Sequence, residues 1–329
     1  MQHIGSPDDP AEVLWANSSW QRVDRSSENC SASSLHYGKL ASRPSVEQYR
    51  LSNPAQAGWL LGAMPRNECF AALFIVGCVN GLGPQILETV RSFGWANAAL
   101  STFGTSTIVW VACCAGVLLI LEESSEKVHA TDIVVGLALL ILIAFPIGGL
   151  SWLAISVLSL YVILFSEPLS PRRRGAIILF AATVPMLWSR LLFRYFANAI
   201  LSIDASLVGL LLGTSSNGNV VPFVDGSGSL IIFPYCSSLA NVSLAFVSWV
   251  VISQWQRHRW SVRDLYCCLV AAASVVSVNV TRIGLMGLGQ RHYSAIHNQW
   301  GDTITNLLIL GLTLGICLLG VRRETDARL

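Results

Sequence analysis

From Cys69 onward the chain is a series of long apolar runs separated by short polar breaks, whereas residues 1 to about 65 are rich in Ser, Asn and Gln and show no sustained period. A helix that crosses a bilayer needs about 17 to 25 mostly apolar residues. Runs of this kind fall at 69–90, 100–121, 132–148, 150–166, 175–193, 234–254, 265–282 and 303–321. The pattern predicts an all-α fold, a polytopic transmembrane helix bundle of about eight spans. The third and fourth runs are read as two helices, because one helix over 132–166 would be on the order of 50 Å long at about 1.5 Å per residue, against a hydrocarbon core of about 30 Å. The sequence "FPIGGL" at Phe145 to Leu150 supplies a Pro and two Gly for the turn between them.

Two segments depart from this pattern. In "NGNVVPFVDGSGSLIIF", the Asn217-Gly218 and Asp225-Gly226 turn signals frame two short β-prone runs, which predicts a small extracytoplasmic hairpin before span six, with Pro222 confining its strand to an edge. Residues 1–65 are expected to form a disordered or weakly ordered cytoplasmic tail, leaving 66–329 as the membrane-embedded domain. A second reading of the same stretch starts translation at Met64, just before the first apolar run. No apolar core of a cleavable signal peptide is visible within the first thirty residues.

Composition agrees with a bilayer as the main solvent. Of 329 residues, 53% are hydrophobic and 12% are charged, about half the charged share of a soluble domain. The net charge of +2, spread along the chain without a basic stripe, gives no ground for a nucleic-acid partner. The nine cysteines lie mostly inside apolar runs and lack the paired loop spacing of a disulfide framework. No CxxC, HExxH or His/carboxylate cluster with metal-ligand spacing is present, so neither a metal nor another cofactor is expected.

Lys and Arg in short loops mark the cytoplasmic side. Arg172, Arg173 and Arg174 lie between spans four and five, Arg257, Arg259 and Arg263 between six and seven, and Arg322, Arg323 and Arg328 after span eight. With eight spans these fall on one side together with Arg66 and Lys127, so both termini are expected in the cytoplasm of a cell with the chain in its inner membrane. The opposite face then carries Arg91, Arg190, Arg194, Arg282 and Arg291, and outer segments near Arg91, from Arg194 to Pro234, and from Arg282 to Asp302.

That topology brings three unusual side chains to one membrane face: Cys236 opening span six, Arg282 closing span seven, and His297 just before span eight. Ionisable residues at membrane segments are costly and mark function. A cysteine attacks as its thiolate, which a neighbouring cation favours. A histidine near neutrality moves protons, and an arginine donates hydrogen bonds to an oxyanion. Taken singly, each has a plainer role: Cys236 as a packing residue, Arg282 snorkelling to headgroups, and His297 as an interfacial loop residue. Together they read as a cysteine acyltransferase or peptidase.

The order "CSSL", "NVTR", "HNQWG" on the last three helices resembles the exosortase and archaeosortase family of polytopic membrane transpeptidases, whose Cys-Ser-Gly, Asn-x-x-Arg and His with Gly four residues on fall here on Cys236 to Ser238, Asn279 to Arg282, and His297 to Gly301. The resemblance covers roughly residues 69–321 in topology. It implies a thiol protease that cleaves exported proteins near the membrane. Its substrates would carry a tripartite carboxy-terminal sorting signal: a Pro-Glu-Pro-like motif, one transmembrane helix and a basic tail. Cys236 would form the thioester, His297 would act as general acid and base, and Arg282 would hold the oxyanion or the substrate; transfer then goes to an acceptor amine or to water. Ser237 is expected to support the thiolate. Asn279 would either orient Arg282 or bond between helices, and Asp302 would either orient His297 or cap span eight. Arg291 and His292 would contact either headgroups or a carboxylate of the substrate motif, headgroups being the favoured reading. Ser238 stands where the family has Gly, a departure that either lowers activity or marks a divergent or inactive member. A transporter or channel-like scaffold is the competing class, although no internal repeat of the transporter kind is visible.

Overall fold

The computed structural model describes residues 65–122, 126–145, 147–258, 261–297 and 299–326. The expected tail lies, up to Met64, outside the described residues. Each of the eight apolar runs coincides with a helix. In chain order these are α1 (Arg66–Leu100), α2 (Thr107–Leu121), α3 (Ala130–Ala144), α4 (Gly148–Leu164), α5 (Pro171–Thr183) continued by α6 (Ser189–Leu212), α7 (Ser238–Trp255), α8 (Val262–Met286) and α10 (Gln299–Asp326). A short α9 (Gln290–Ile296) precedes α10. Among the described residues, five helical stretches are long and apolar enough to cross a membrane, while α2, α3 and α4 are shorter apolar helices.

Local chemistry sets several boundaries. Ser106 and Ser170 cap α2 and α5 by accepting from the Ile108 and Arg173 amides, and Pro171 occupies the first turn, where no N–H is needed. The break between α3 and α4 is held by Asn80, whose Nδ2 donates to the Ile143 carbonyl at 2.6 Å and to Ser151 Oγ at 2.9 Å. A helix end that would otherwise leave carbonyls bare is thus satisfied from α1. Pro185 cannot donate to the helical ladder, and Val184–Trp188 forms a π turn that joins α5 to α6.

The helices run further than their hydropathy suggests. The segment expected as an outer loop from Arg194 is helical to Leu212, so α5 to α6 is one stretch of 42 residues. Its physical reason is periodic: Leu201, Ala205 and Val208 are buried at helical spacing, while Asn198, Ser202 and Ser206 dilute the apolar signal. Likewise α1 continues past Arg91 to Leu100, with a kink at Gly94. Cys236 does not open a helix but ends a short 3₁₀ turn, Pro234–Cys236, and α8 continues four residues beyond Arg282.

The main core lies between α1, α2, α4, α5 and α7, around Phe70, Phe74, Ile120, Trp152, Ile155 and Leu179. Gly116 of α2 and Gly175 of α5 face each other so closely that a Cβ on Gly175 would overlap the Gly116 carbonyl oxygen and lie 2.8 Å from Ile120 Cγ1. One end of this bundle is laced by charge. Arg66 binds Asp132 through Nε and Nη2 at 2.8 and 3.0 Å, Tyr161 Oη donates to the same carboxylate at 2.7 Å, and Glu126 takes bonds from both Arg172 (2.7 Å) and Arg66 (3.2 Å). Arg174 donates to the Gln254 carbonyl at 2.8 Å. The starts of α1 and α5 and the end of α7 therefore meet at one end of the bundle. The expected hairpin is present as β1 (Val220–Pro222) and β2 (Ser229–Ile231), antiparallel, with Val221 opposite Leu230 and Pro222 opposite Ser229 at the edge of the pair. Gly218 and Gly226 both have positive φ, as turn glycines do.

Candidate active site

The chain enters the site from β2 through Pro234–Cys236 and leaves it along α7, whose N-cap is Ser237. Three side chains fix this turn. Ser237 Oγ accepts from the Leu239 amide and donates to Asp204 Oδ2 at 2.6 Å, and the Ser238 amide donates to the same oxygen at 3.1 Å. From α8, Asn279 Nδ2 donates to the Cys236 carbonyl at 2.8 Å and to Ser238 Oγ at 3.1 Å. Asp204, Ser237, Ser238 and Asn279 are all buried. An acidic side chain on α6 and an amide on α8 thus grip the turn from two sides and leave the half-buried thiol of Cys236 at its end.

Ser237 gives its one hydroxyl hydrogen to Asp204, so it supports the turn and not the thiolate directly. Asn279 forms the interhelical bond that was one of its two expected roles. Its Oδ1 has no hydrogen-bond partner among the described residues, so it does not hold the Arg282 guanidinium. Ser238 is in the first turn of α7 and is not among the positive-φ residues; no left-handed backbone calls for glycine there, and its hydroxyl serves as an acceptor instead.

Arg282 follows Asn279 by three residues on α8, so both lie on one helical face. His297 caps α9, its amide donating to the Tyr293 carbonyl at 2.8 Å, and its ring is exposed and stacks on Tyr293 with centroids 4.9 Å apart. Their chain neighbours share an apolar cluster with Cys236: Leu201, Val221, Ile232, Ile283 and Met286 are buried in it, and Cys236, Tyr293 and Ile296 pack against it. The hairpin tightens the same region, for the Val224 amide donates to the Gly287 carbonyl at 3.0 Å and Phe223 meets Tyr293 at 6.5 Å. Gly301 has a steric reason: α10 starts at Gln299, and a Cβ on Gly301 would overlap the Ile296 carbonyl oxygen at the end of α9. Asp302 sits in the first turn of α10, three residues after the helix begins; its side chain lies outside the described residues. Arg291 and His292 are exposed on α9.

Asp204 was missed by sequence reasoning. Its signal was a lone carboxylate in "LSIDASL", costly in an apolar helix unless it has work to do. Its partners, more than thirty residues away, were not readable. Outside this turn, Asp225 in the hairpin loop is held below the usual carboxylate range by the Ser227 hydroxyl and amide. Among the described residues no group of His, Cys, Asp and Glu could hold a metal ion.

Comparison of the chain with protein-family models, curated proteins and solved structures returned no match.

Proposed function

We propose that this protein is a membrane-embedded cysteine peptidase or transpeptidase of the exosortase kind. The chain would span the inner membrane eight times with both termini in the cytoplasm, and its site would face outward. It would act on exported proteins that carry a tripartite carboxy-terminal sorting signal. The observation that carries the reading is the 2.8 Å bond from Asn279 Nδ2 to the Cys236 carbonyl: it ties the Cys-Ser-Ser and Asn-x-x-Arg segments, 43 residues apart, into one turn at the end of the bundle away from the charge network. A structural cysteine inside an apolar helix needs no such grip.

In this reaction the Cys236 thiolate attacks the scissile carbonyl carbon, and Arg282 steadies the oxyanion that forms. The C–N bond then breaks. His297 hands its proton to the departing amine, leaving a thioester on Cys236. An acceptor amine or water next attacks the thioester, giving its proton to His297, and the thiolate is released. Neither ATP nor a metal enters these steps.

The test is processing in cells. With wild-type protein, a co-expressed substrate ending in a tripartite signal should lose that segment, as mass spectrometry of its carboxy terminus would report. Cys236→Ala, Arg282→Ala and His297→Ala should accumulate in the membrane at wild-type level with the substrate uncut; normal processing by Cys236→Ala would end the proposal.

A further inference from the structure

Helix α7 ends in a geometry that usually calls for glycine and has an arginine there instead. The His258 amide donates to the Ser253 carbonyl at 2.9 Å and the Arg257 amide to the Gln254 carbonyl at 3.3 Å, with Arg257 at φ 56°. These are the two bonds of a Schellman ending, whose left-handed position glycine fills without steric cost. Arg257 adopts it with its side chain exposed and in no ion pair among the described residues. A second guanidinium lies beside it. Arg174 of α5 donates from Nη1 to the same Gln254 carbonyl at 2.8 Å, and the two positive charges are near enough to repel. Arg174 is 3% exposed, and its Nε has no hydrogen-bond partner among the described residues. Its ion pair, with Glu122, spans 3.7 Å to a half-exposed carboxylate. This corner is therefore left with unbalanced positive charge.

Next to the corner, α2 and α7 leave an open groove of about 290 Å³ between them, lined by Val111 and Ala115 on one side and by Val251, Ile252, Trp255 and Gln256 on the other. The groove thus reaches the residue just before Arg257. Trp255 is 53% exposed, as suits a tryptophan at a membrane–water boundary. We propose that an anionic phospholipid occupies this place, with an acyl chain in the groove and its phosphate on the exposed Arg257 guanidinium. Arg174, sealed from solvent, makes no contact with the lipid; its charge adds attraction through the protein, where screening is weak. Basic pockets between membrane helices recognise such headgroups. A zwitterionic phospholipid gains less, because the same charges repel its cationic group. The site lies at the charged end of the bundle, and nothing in it depends on the reading of Cys236.

The test is native mass spectrometry of the full-length protein in detergent, titrated with dioleoyl phosphatidylglycerol and, separately, dioleoyl phosphatidylcholine. Phosphatidylglycerol should bind on the order of tenfold more tightly. Arg257→Gly should abolish that difference while the melting temperature stays unchanged or rises, since glycine suits the left-handed position; an arginine of structural use alone would show the opposite pattern. Arg257→Gln, which removes the charge and keeps a long side chain, should abolish the difference as well, and Arg257→Lys should keep most of it. Val111→Trp, on the half-exposed wall of the groove, should weaken both lipids several-fold. Inorganic phosphate at the same concentrations should displace neither. Equal affinity for the two lipids, or a preference that survives both Arg257→Gly and Arg257→Gln, overturns the proposal. So does release of phosphatidylglycerol by phosphate alone, which would leave the groove no part in binding. A wild-type dimer that Val111→Trp splits would give the groove to a second copy of the chain and overturn it too.

Discussion

Asp132 and Asp204 are both buried carboxylates on apolar helices, and they are used in opposite ways. Asp132, fully buried, receives two bonds from the Arg66 guanidinium and one from Tyr161, so its charge is met by a cation and the assembly ties α1, α3 and α4 together. Asp204 has no ion pair among the described residues; one of its oxygens takes a serine hydroxyl and a backbone amide. What it holds is a turn of chain, the one that presents Cys236. One end of the bundle uses buried charge to clamp helices, and the other uses it to shape the backbone around a thiol.

The contrast is easiest to break at the clamp. Asp132→Ala leaves Arg66 buried without its main partner, and such a loss costs about 3 to 5 kcal/mol; little folded protein should survive size-exclusion chromatography in detergent, and activity should vanish with it. At the other end, Asp204→Ala removes two bonds to a carboxylate, and each hydrogen bond to a charged group contributes about 1.5 to 3 kcal/mol. The protein should stay folded with a lower melting temperature, while Cys236-dependent processing falls far more than stability does. Asp204→Asn, which keeps one oxygen acceptor, should fall between Ala and wild type in both measurements.

Much of this architecture was legible in the sequence. The eight apolar runs each found a helix, "FPIGGL" parted α3 from α4, and the Asn217-Gly218 and Asp225-Gly226 pairs marked the hairpin, because these features depend on near neighbours. What was not legible depends on distant ones. Hydropathy ended the fifth run before Arg194 because polar residues on one face of α6 dilute it, although the spacing of Leu201, Ala205 and Val208 was there to be read. The grip of Asp204 on Ser237, and of Asn279 on Cys236, joins positions that only packing brings together. Gly301 was expected from its place after His297, yet its reason, the close approach of the Ile296 carbonyl at the end of α9, is a matter of packing.

Smaller effects sharpen the comparison. Gly301→Ala should displace the His297 end of α9 through overpacking, which costs roughly 1 to 3 kcal/mol; processing should fall with the helix content unchanged by circular dichroism. The weakest effect belongs to the exposed rim of the clamp. Arg172, and then Arg66, hold the Glu126 carboxyl below its usual range. A carboxylate depressed in the folded state contributes stability that is present above its unfolded value, about 4.3, and lost as pH falls through the folded value. Because Glu126 is half exposed, the slope should amount to less than about 1 kcal/mol, and Glu126→Gln should flatten it in thermal unfolding between pH 7 and pH 3.

The central claim, that the turn gripped by Asp204 and Asn279 presents a working thiol that Arg282 activates, is tested most directly by the rate at which Cys236 is alkylated at pH 7 by a membrane-impermeant maleimide, followed on its own peptide by mass spectrometry. The account predicts labelling in intact spheroplasts that is faster than in the unfolded chain and slowed about tenfold or more by Arg282→Ala. Labelling slower than in the unfolded chain and indifferent to Arg282 would make Cys236 a packing residue and contradict the account.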